Sequence, residues 1–441
     1  MQTLLISTYD LGRQPFGLAS AAAALRAAGI ESSLADLSRE RLSEDAVMRA
    51  DAVAFFLPMH TATRLALPVI DRVRRLNPRA RLCGYGLYAP LNASLLRERG
   101  VTTVIGGEFE DSLVAFARGE EPRADAGTVP RVEFRVPDRR GLPVLSRYAT
   151  LHVGREQRIV AYTEASRGCK HRCRHCPIVP VYDGRFRVVP VDVVMADVRA
   201  QVDAGATHVT FGDPDFFNGI KHADAVIAGI AREFPGVTYD VTIKVEHLLA
   251  HAEMLPRLHE TGCAFVTSAV ESIDDEILGR LEKGHTRQDF ERVTGLFRDT
   301  GLTLEPTFVP FTPWTTLEGY CDLLQTIDRL QLVDHVAPIQ LAIRLLITEG
   351  SRLLELDEIR SMAQRFDAGS LTYRWQHPDP RVDALQAELM AIVGTKLTSS
   401  RREMFESVWT AAHRAAGVTA PARQDILPRA AVPYLNEPWY C

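Results

Sequence analysis

The chain has 441 residues, 46% of them hydrophobic and 24% charged, with a net charge of −5. That balance suits a globular protein of two or three domains and argues against a general nucleic-acid binder, which would be basic. No run approaches the ~18–20 apolar residues of a membrane-spanning helix, and the segment Met1–Thr8 lacks the basic flank of a signal peptide. Seven cysteines, an odd number with three of them clustered, argue against a disulfide scaffold and imply a reducing cytoplasm.

Residues 1–118 alternate short apolar runs with helical patterns. Thr3–Thr8, Ser33–Asp36, Ala52–Leu57, Ala80–Gly84 and Thr102–Ile105 read as buried strands, while Leu18–Ala28 and Ala62–Leu76 carry apolar residues at helical spacing. Five βα units in succession predict a doubly wound parallel sheet, with Gly106-Gly107 in a ligand-facing loop. His60, the only histidine before residue 152, reads as a hydrogen-bonded structural residue at a strand end. Residues 119–150 are rich in Pro, Arg, Gly and Asp without periodicity and read as a linker.

The chain then reaches Ser166-Arg-Gly-Cys-Lys-His-Arg-Cys-Arg-His-Cys-Pro177, in which Cys169, Cys173 and Cys176 form a CxxxCxxC triplet. Soft thiolates select iron–sulfur clusters or zinc. A zinc site would want four ligands, so His171 or His175 would have to complete it. Three thiolates alone suit a cubane that keeps one iron open. This spacing, with the apolar run Arg158–Thr163 before it as a first strand, resembles the radical S-adenosylmethionine (SAM) superfamily. The resemblance implies a [4Fe-4S] cluster on the three cysteines, with SAM chelating the fourth iron. His175 stands where that family usually has an aromatic residue, so its ring would lie against adenine. The resemblance further implies a cobalamin-binding-like first domain, through Gly17-Leu-Ala-Ser-Ala-Ala-Ala-Ala-Leu25 and Gly29. The Asp-x-His-x-x-Gly signature of base-off cobalamin binding is absent, so the domain holds cobalamin without a histidine or is a vestigial scaffold. The tRNA methylthiotransferases also join an α/β domain to such a barrel. They need a second cysteine triplet in a region where this chain has only Cys83. Cys83, Cys263, Cys321 and Cys441 form no ligand set for an auxiliary cluster.

Residues 151–350 resume the alternation. Ile159–Thr163, His208–Phe211, Val241–Val245, Phe265–Val270, Leu304–Val309 and Ile339–Ile343 read as strands of a partial (βα)6 barrel, the core that the resemblance implies. Thr286-Arg-Gln-Asp289 reads as a capping box. Ligands of parallel α/β folds sit at the carboxyl ends of strands. The resemblance implies a Gly-Gly-Glu-like segment there that holds the SAM amino group, so Gly212 would allow close backbone approach and Asp213 or Asp215 would accept from the ammonium. Lys244 and Glu246, two apart on the third strand, would face the lumen toward the SAM carboxylate and the ribose or substrate, or pair with each other. Glu271-Ser272 resembles the Val-Glu-Ser segment of cobalamin-type radical SAM proteins, which implies contact with ribose or the SAM amine. Pro306–Thr315 and Arg344–Glu349 would line the substrate pocket. The basic residues Arg167, Lys170, His171, Arg172, Arg174, Arg185 and Arg187 read as tuning the cluster and attracting the SAM carboxylate or an acidic flavodoxin- or ferredoxin-like electron donor.

Residues 351–441 carry a helical pattern, Arg381–Ala416 broken near Gly394, and a Pro-rich tail from Pro421 to Cys441. The ending Pro433-Tyr-Leu-Asn-Glu-Pro-Trp-Tyr-Cys441 resembles the tail of a radical SAM subfamily that finishes in Cys(or selenocysteine)-Cys-Ala-Glu-Pro; here the match stops at the first cysteine. That subfamily is similar to the arsinothricin-pathway radical SAM enzyme. The resemblance implies a transferase that passes the 3-amino-3-carboxypropyl group of SAM to trivalent arsenic. Arsenite is a soft thiophile, and Cys441 with Cys263 or Cys321 would present it; the plainer reading of Cys441 is an incidental thiol on a frayed terminus. The rival function is a 5′-deoxyadenosyl-radical enzyme that modifies or methylates a natural-product substrate, with or without cobalamin. A non-catalytic corrinoid or metal sensor would have no use for a site-differentiated cluster.

Overall fold

The computed structural model describes residues 2–121, 129–395, 399–423 and 432–436. Strands β1 (Thr3–Ser7), β2 (Ser32–Asp36), β3 (Ala52–Phe56), β4 (Arg81–Tyr85) and β5 (Thr103–Ile105) pair in parallel in the order β2-β1-β3-β4-β5. β1 and β3 are buried along their whole length, which is why they read as unbroken apolar runs. Leu4, Ile6, Val53 and Phe55 pack on one face, and Leu5, Ala52 and Ala54 meet the helix Phe16–Ala27 on the other. The strand order reverses between β1 and β3, so their carboxyl ends open a crevice.

The second sheet begins with the antiparallel hairpin β6 (Thr150–Val153) and β7 (Glu156–Thr163). A small hairpin of β8 (Ser166–Gly168) and β9 (Phe186–Val188) brackets the cysteine segment. Parallel to β7 follow β10 (His208–Phe211), β11 (Thr238–Thr242), β12 (Cys263–Glu271) and β13 (Leu304–Phe308). After the short pair β14 (Phe366–Asp367) and β15 (Thr372–Tyr373), the tail returns as β16 (Tyr434–Leu435) against β6. The sheet order is β13-β12-β11-β10-β7-β6-β16. Its strands alternate, with a bulge near the end of β12. Val209, Phe211, Tyr239, Val241, Val266, Val270, Leu304 and Phe308 face the helices, each worth about 1.5–3 kcal/mol if aliphatic or Phe and fully buried. Asp240, Thr242, Thr267 and Glu305 face the opposite way, into a lumen.

Two expectations need correction. The anticipated sixth strand, Ile339–Ile343, is a 3-10 turn at Pro338–Leu341 followed by one isolated bridge between Phe311 and Arg344. Here Gln340 Oε1 accepts from the Phe308 amide at 3.1 Å, occupying a donor of β13 with a side chain. The third strand ends at Thr242, leaving Lys244 as the residue before the helix Val245–Ala250 and Glu246 within it. The described part of residues 119–150 makes specific contacts. The Asp138 amide donates to the Ala19 carbonyl, and Arg139 pairs with Asp197 at 2.8 Å.

The capping box at Thr286 and Asp289 forms and opens the helix Arg287–Thr300. The last helical pattern resolves into helices Pro380–Thr395 and Arg401–Ala416. Among the described residues, no helix is long and apolar enough to cross a membrane.

Candidate active site

The cysteine segment leaves the barrel through Gly168, whose φ of 74° and tight contact with Tyr182 and the Arg185 carbonyl exclude a side chain. The segment is pinned from below. The Arg174 amide donates to Leu281 O at 3.0 Å, its Nη1 reaches Arg280 O at 2.9 Å, and its Nη2 pairs with Glu282 at 2.7 Å. Asn218 Oδ1 accepts from the Lys170 amide at 3.2 Å and lies 3.8 Å from Cys169 Sγ. Two of the three thiols are held away from ionisation. Burial raises Cys169 and takes Cys176 up to about 12, the neighbouring sulfurs add to both shifts, and Lys283 opposes the rise at Cys176. Only a bound cation would stabilise three thiolates here. Cys83 and Cys263 are buried on β4 and at the start of β12, and Cys321 in the helix Leu317–Arg329, so the other described thiols lie outside the segment. A three-cysteine [4Fe-4S] site fits this donor set. Cys441 lies outside the described residues.

The candidate SAM ligands fall into distinct groups. Asp213 is buried and accepts from the Ala165 amide at 2.9 Å and Ser166 Oγ at 2.5 Å, so it fixes the strand entering the cysteine segment. Burial pushes its carboxyl up to about 7 against those bonds. Gly212 cannot carry a side chain, because a Cβ would collide with the Tyr162 hydroxyl.

Asp215 belongs to a cluster beside the cysteines: its Oδ2 lies 2.7 Å from His247 Nδ1 and 3.4 Å from His171 Nε2. Burial raises its carboxyl, but the two histidines outweigh that and leave it below the usual range. Lys244 Nζ joins this cluster at 3.2 Å from His171 Nδ1 and 3.0 Å from Glu246 Oε2. The Lys244–Glu246 pair therefore exists, but it forms at a helix start and not on one strand face.

Glu271 sits at a bulge in β12 with a φ of 68°, a strained value for a non-glycine residue. It accepts from His175 Nε2 at 3.1 Å and Lys283 Nζ at 3.4 Å. Burial opposes ionisation, yet Lys283 and His175 hold the carboxyl down at about 2. His175 thus turns toward Glu271. Ser272 Oγ accepts from the Asp274 amide at 3.0 Å and serves the turn before the next helix. Lys283, His247 and Asn218 were not singled out from the sequence. For Lys283 a signal existed: Lys283-Gly-His285 interrupts two helices, and Gly284, with a φ of 73°, lets Glu246 pass.

A cavity of about 1580 Å³ joins the crevice of the first domain to the barrel lumen. Its walls include Asp10, Arg13, Met59 and Gly107 above, and Asp240, Glu305, Arg401 and Tyr434 below. Pro306–Thr315 and Arg344–Glu349 do not line it. The space would admit a corrinoid, but the first domain brings no imidazole to it: His60 Nε2 is bonded to Ser370 O at 2.6 Å. Phe56, Tyr85 and Phe109 pack together beneath Gly17 and fill the crevice floor.

Residues 163–324 match the Radical SAM superfamily. Among curated proteins, the chain is 26% identical over 186 residues to the ribosomal protein uS12 methylthiotransferase RimO of Roseobacter denitrificans, covering 39% of this chain and 40% of that one. It is 26% identical over 204 residues to the tRNA-2-methylthio-N(6)-dimethylallyladenosine synthase of Chlorobium luteolum, covering 42% and 43%. The matched region thus spans well under half of these relatives. Among solved structures, the cobalamin-dependent SAM radical enzyme OxsB with aqua-cobalamin aligns with a TM-score of 0.71 at 14% identity, over 94% of this chain and 71% of that one. The radical SAM methyltransferase TsrM of Kitasatospora setae, with cobalamin and a [4Fe-4S] cluster, aligns at 0.60 and 18% identity, over 75% and 73%. These likenesses establish a shared fold. Residues 163–324 match the Radical SAM superfamily, and the chain shares its fold, an α/β domain followed by an open barrel, with these two structures.

Proposed function

We propose that this chain is a radical SAM enzyme that transfers a fragment of SAM to a small-molecule acceptor in the lumen. The observation that carries this is the pinned three-cysteine segment beside Glu271, Lys283 and Asp213. Cys169, Cys173 and Cys176 would hold the [4Fe-4S] cluster, which supplies the electron that breaks a carbon–sulfur bond of SAM. Glu271, kept ionised by Lys283 and His175, is ready to accept from a SAM ammonium or ribose hydroxyl. Asp213 and Gly212 shape the backbone beneath it. The domain boundaries read from the sequence, residues 1–118, 119–150, 151–350 and 351–441, belong to this proposal, as do a reducing cytoplasm and an acidic flavodoxin- or ferredoxin-like donor.

The narrow form is transfer of the 3-amino-3-carboxypropyl group to arsenite. It rests on the resemblance of the tail that ends at Cys441, and Tyr434 and Leu435, within the described part of that tail, line the cavity. A second reading, adenosyl-radical modification or cobalamin-assisted methylation of an organic substrate, is favoured by the cavity itself. At about 1580 Å³ it exceeds the ~300–1,000 Å³ of pockets that hold drug-sized ligands.

Mass spectrometry of products from the anaerobically reconstituted, reduced enzyme with SAM, with and without arsenite, decides between them. Methylthioadenosine with an arsenic-bearing amino acid would establish the narrow form, and Cys441→Ser should then abolish arsenite turnover with the cluster intact. 5′-Deoxyadenosine indifferent to arsenite would establish the second reading. No SAM cleavage by cluster-loaded protein would end both.

A further inference from the structure

The lumen-facing positions of the barrel sheet carry acids where a closed barrel would pack aliphatic side chains. Asp240 on β11 is buried and accepts from His208 Nε2 at 2.9 Å and Thr210 Oγ1 at 2.5 Å. Glu305 on β13 stands in register with Thr267 on β12. Its Oε1 is shut off from solvent and has no hydrogen-bond partner. Both carboxyls line the cavity.

The charged groups around Glu305 do not satisfy it. Arg401, whose field reaches it from the last helix, donates to Asp334 O at 2.5 Å and lies over the Tyr434 ring. The Asp334 carboxylate is bound by Arg402, and His335 Nδ1 lies 2.9 Å from Leu304 O. Burial, against the pull of Arg401 and with the push of Asp240, takes the Glu305 carboxyl up to about 8.

We propose that Glu305 and Asp240 form a subsite for the ammonium group of an organic substrate at the floor of the lumen. This rests on the reading that the lumen holds an organic acceptor. An ammonium brings three donors, which match the Glu305 carboxyl and the hydroxyls of Thr242 and Thr267 lining the same wall. Binding takes the proton from Glu305, whose anion the ammonium then neutralises.

Isothermal titration calorimetry of the reconstituted full chain at pH 7, with hexylamine and with hexan-1-ol, tests this. The amine should bind on the order of tenfold more tightly. Its heat should differ between phosphate and Tris buffers, because a proton leaves Glu305. Glu305→Gln should remove both effects, and Asp240→Asn should weaken the preference. Equal affinity for amine and alcohol, or a preference that survives in Glu305→Gln, would overturn the subsite. If Glu305→Gln does not fold, a wild-type heat that is the same in both buffers overturns it alone. SAM cleavage by the same preparation reports separately on the radical reading: cleavage without amine preference removes only the subsite, and amine preference without cleavage removes only the radical chemistry.

Discussion

Arg167 Nη1 lies 2.8 Å from Glu110 Oε1, so the residue two before Cys169 is tied to the first turn of the last helix in the α/β domain. Its Nε also pairs with Glu164 at 2.7 Å, and Glu108 lies 3.6 Å away. The arginine is buried, with its guanidinium stacked between Phe16, Phe109 and Phe134. The domain interface and the entry to the cysteine segment therefore share one cation.

Arg167→Met should cost about 3–5 kcal/mol, because it strands buried carboxylates without a partner. Urea denaturation measures this, and a loss below 1 kcal/mol would mean the interface does not depend on the pair. Arg167→Lys should recover only part, since an ammonium lacks the planar fork.

Replacing any one of Cys169, Cys173 and Cys176 with Ala should reduce cluster iron and sulfide to near zero and abolish SAM cleavage. Iron analysis of the reconstituted variants checks it. Retained cleavage would place the cluster elsewhere.

Lys283→Met leaves Glu271 with His175 as its remaining partner. SAM affinity should weaken by roughly 10–100-fold, as for other supporting residues, while iron content stays at the wild-type level. Calorimetry with SAM on the loaded variant reads the first quantity and metal analysis the second. Unchanged SAM affinity would remove Glu271 from the SAM site.

Stability of the metal-free chain should fall as pH rises through the neutral range. Burial lifts Asp10 to about 7 and Glu305 to about 8, far above the range of an unfolded chain. A raised folded value means that the folded state binds the proton more tightly. The stabilisation is complete below about pH 4 and is lost as pH climbs through 7 and 8, by at most about 1.4 kcal/mol per pH unit for each group. Urea midpoints between pH 5 and 8 measure the slope. Asp10→Asn and Glu305→Gln should each flatten it, and an unchanged slope in both would assign it to other groups.

Much of the scaffold was legible because its signals are local. β1 to β5 lie within two residues of their apolar runs, since a strand buried on both faces needs an unbroken run of such residues. Cys169, Cys173 and Cys176 stood out because they lie within one short segment. Ile339–Ile343 misled for the converse reason. Its apolar content matches a strand, but Gln340 satisfies the Phe308 amide from the side, and no local pattern records that bond.

What the sequence by itself determined was the order of domains, the parallel βα alternation and the cysteine triplet, each fixed by residues near one another in the chain. Only the tertiary structure decided that Glu271 answers to Lys283 and His175, that Asp213 is spent on Ser166, and that Asp240 and Glu305 share a lumen. These pairings join residues 12 to 96 positions apart, and in the lumen 65. Partners that far apart are set by strand order and by helix packing, which propensity and periodicity do not encode.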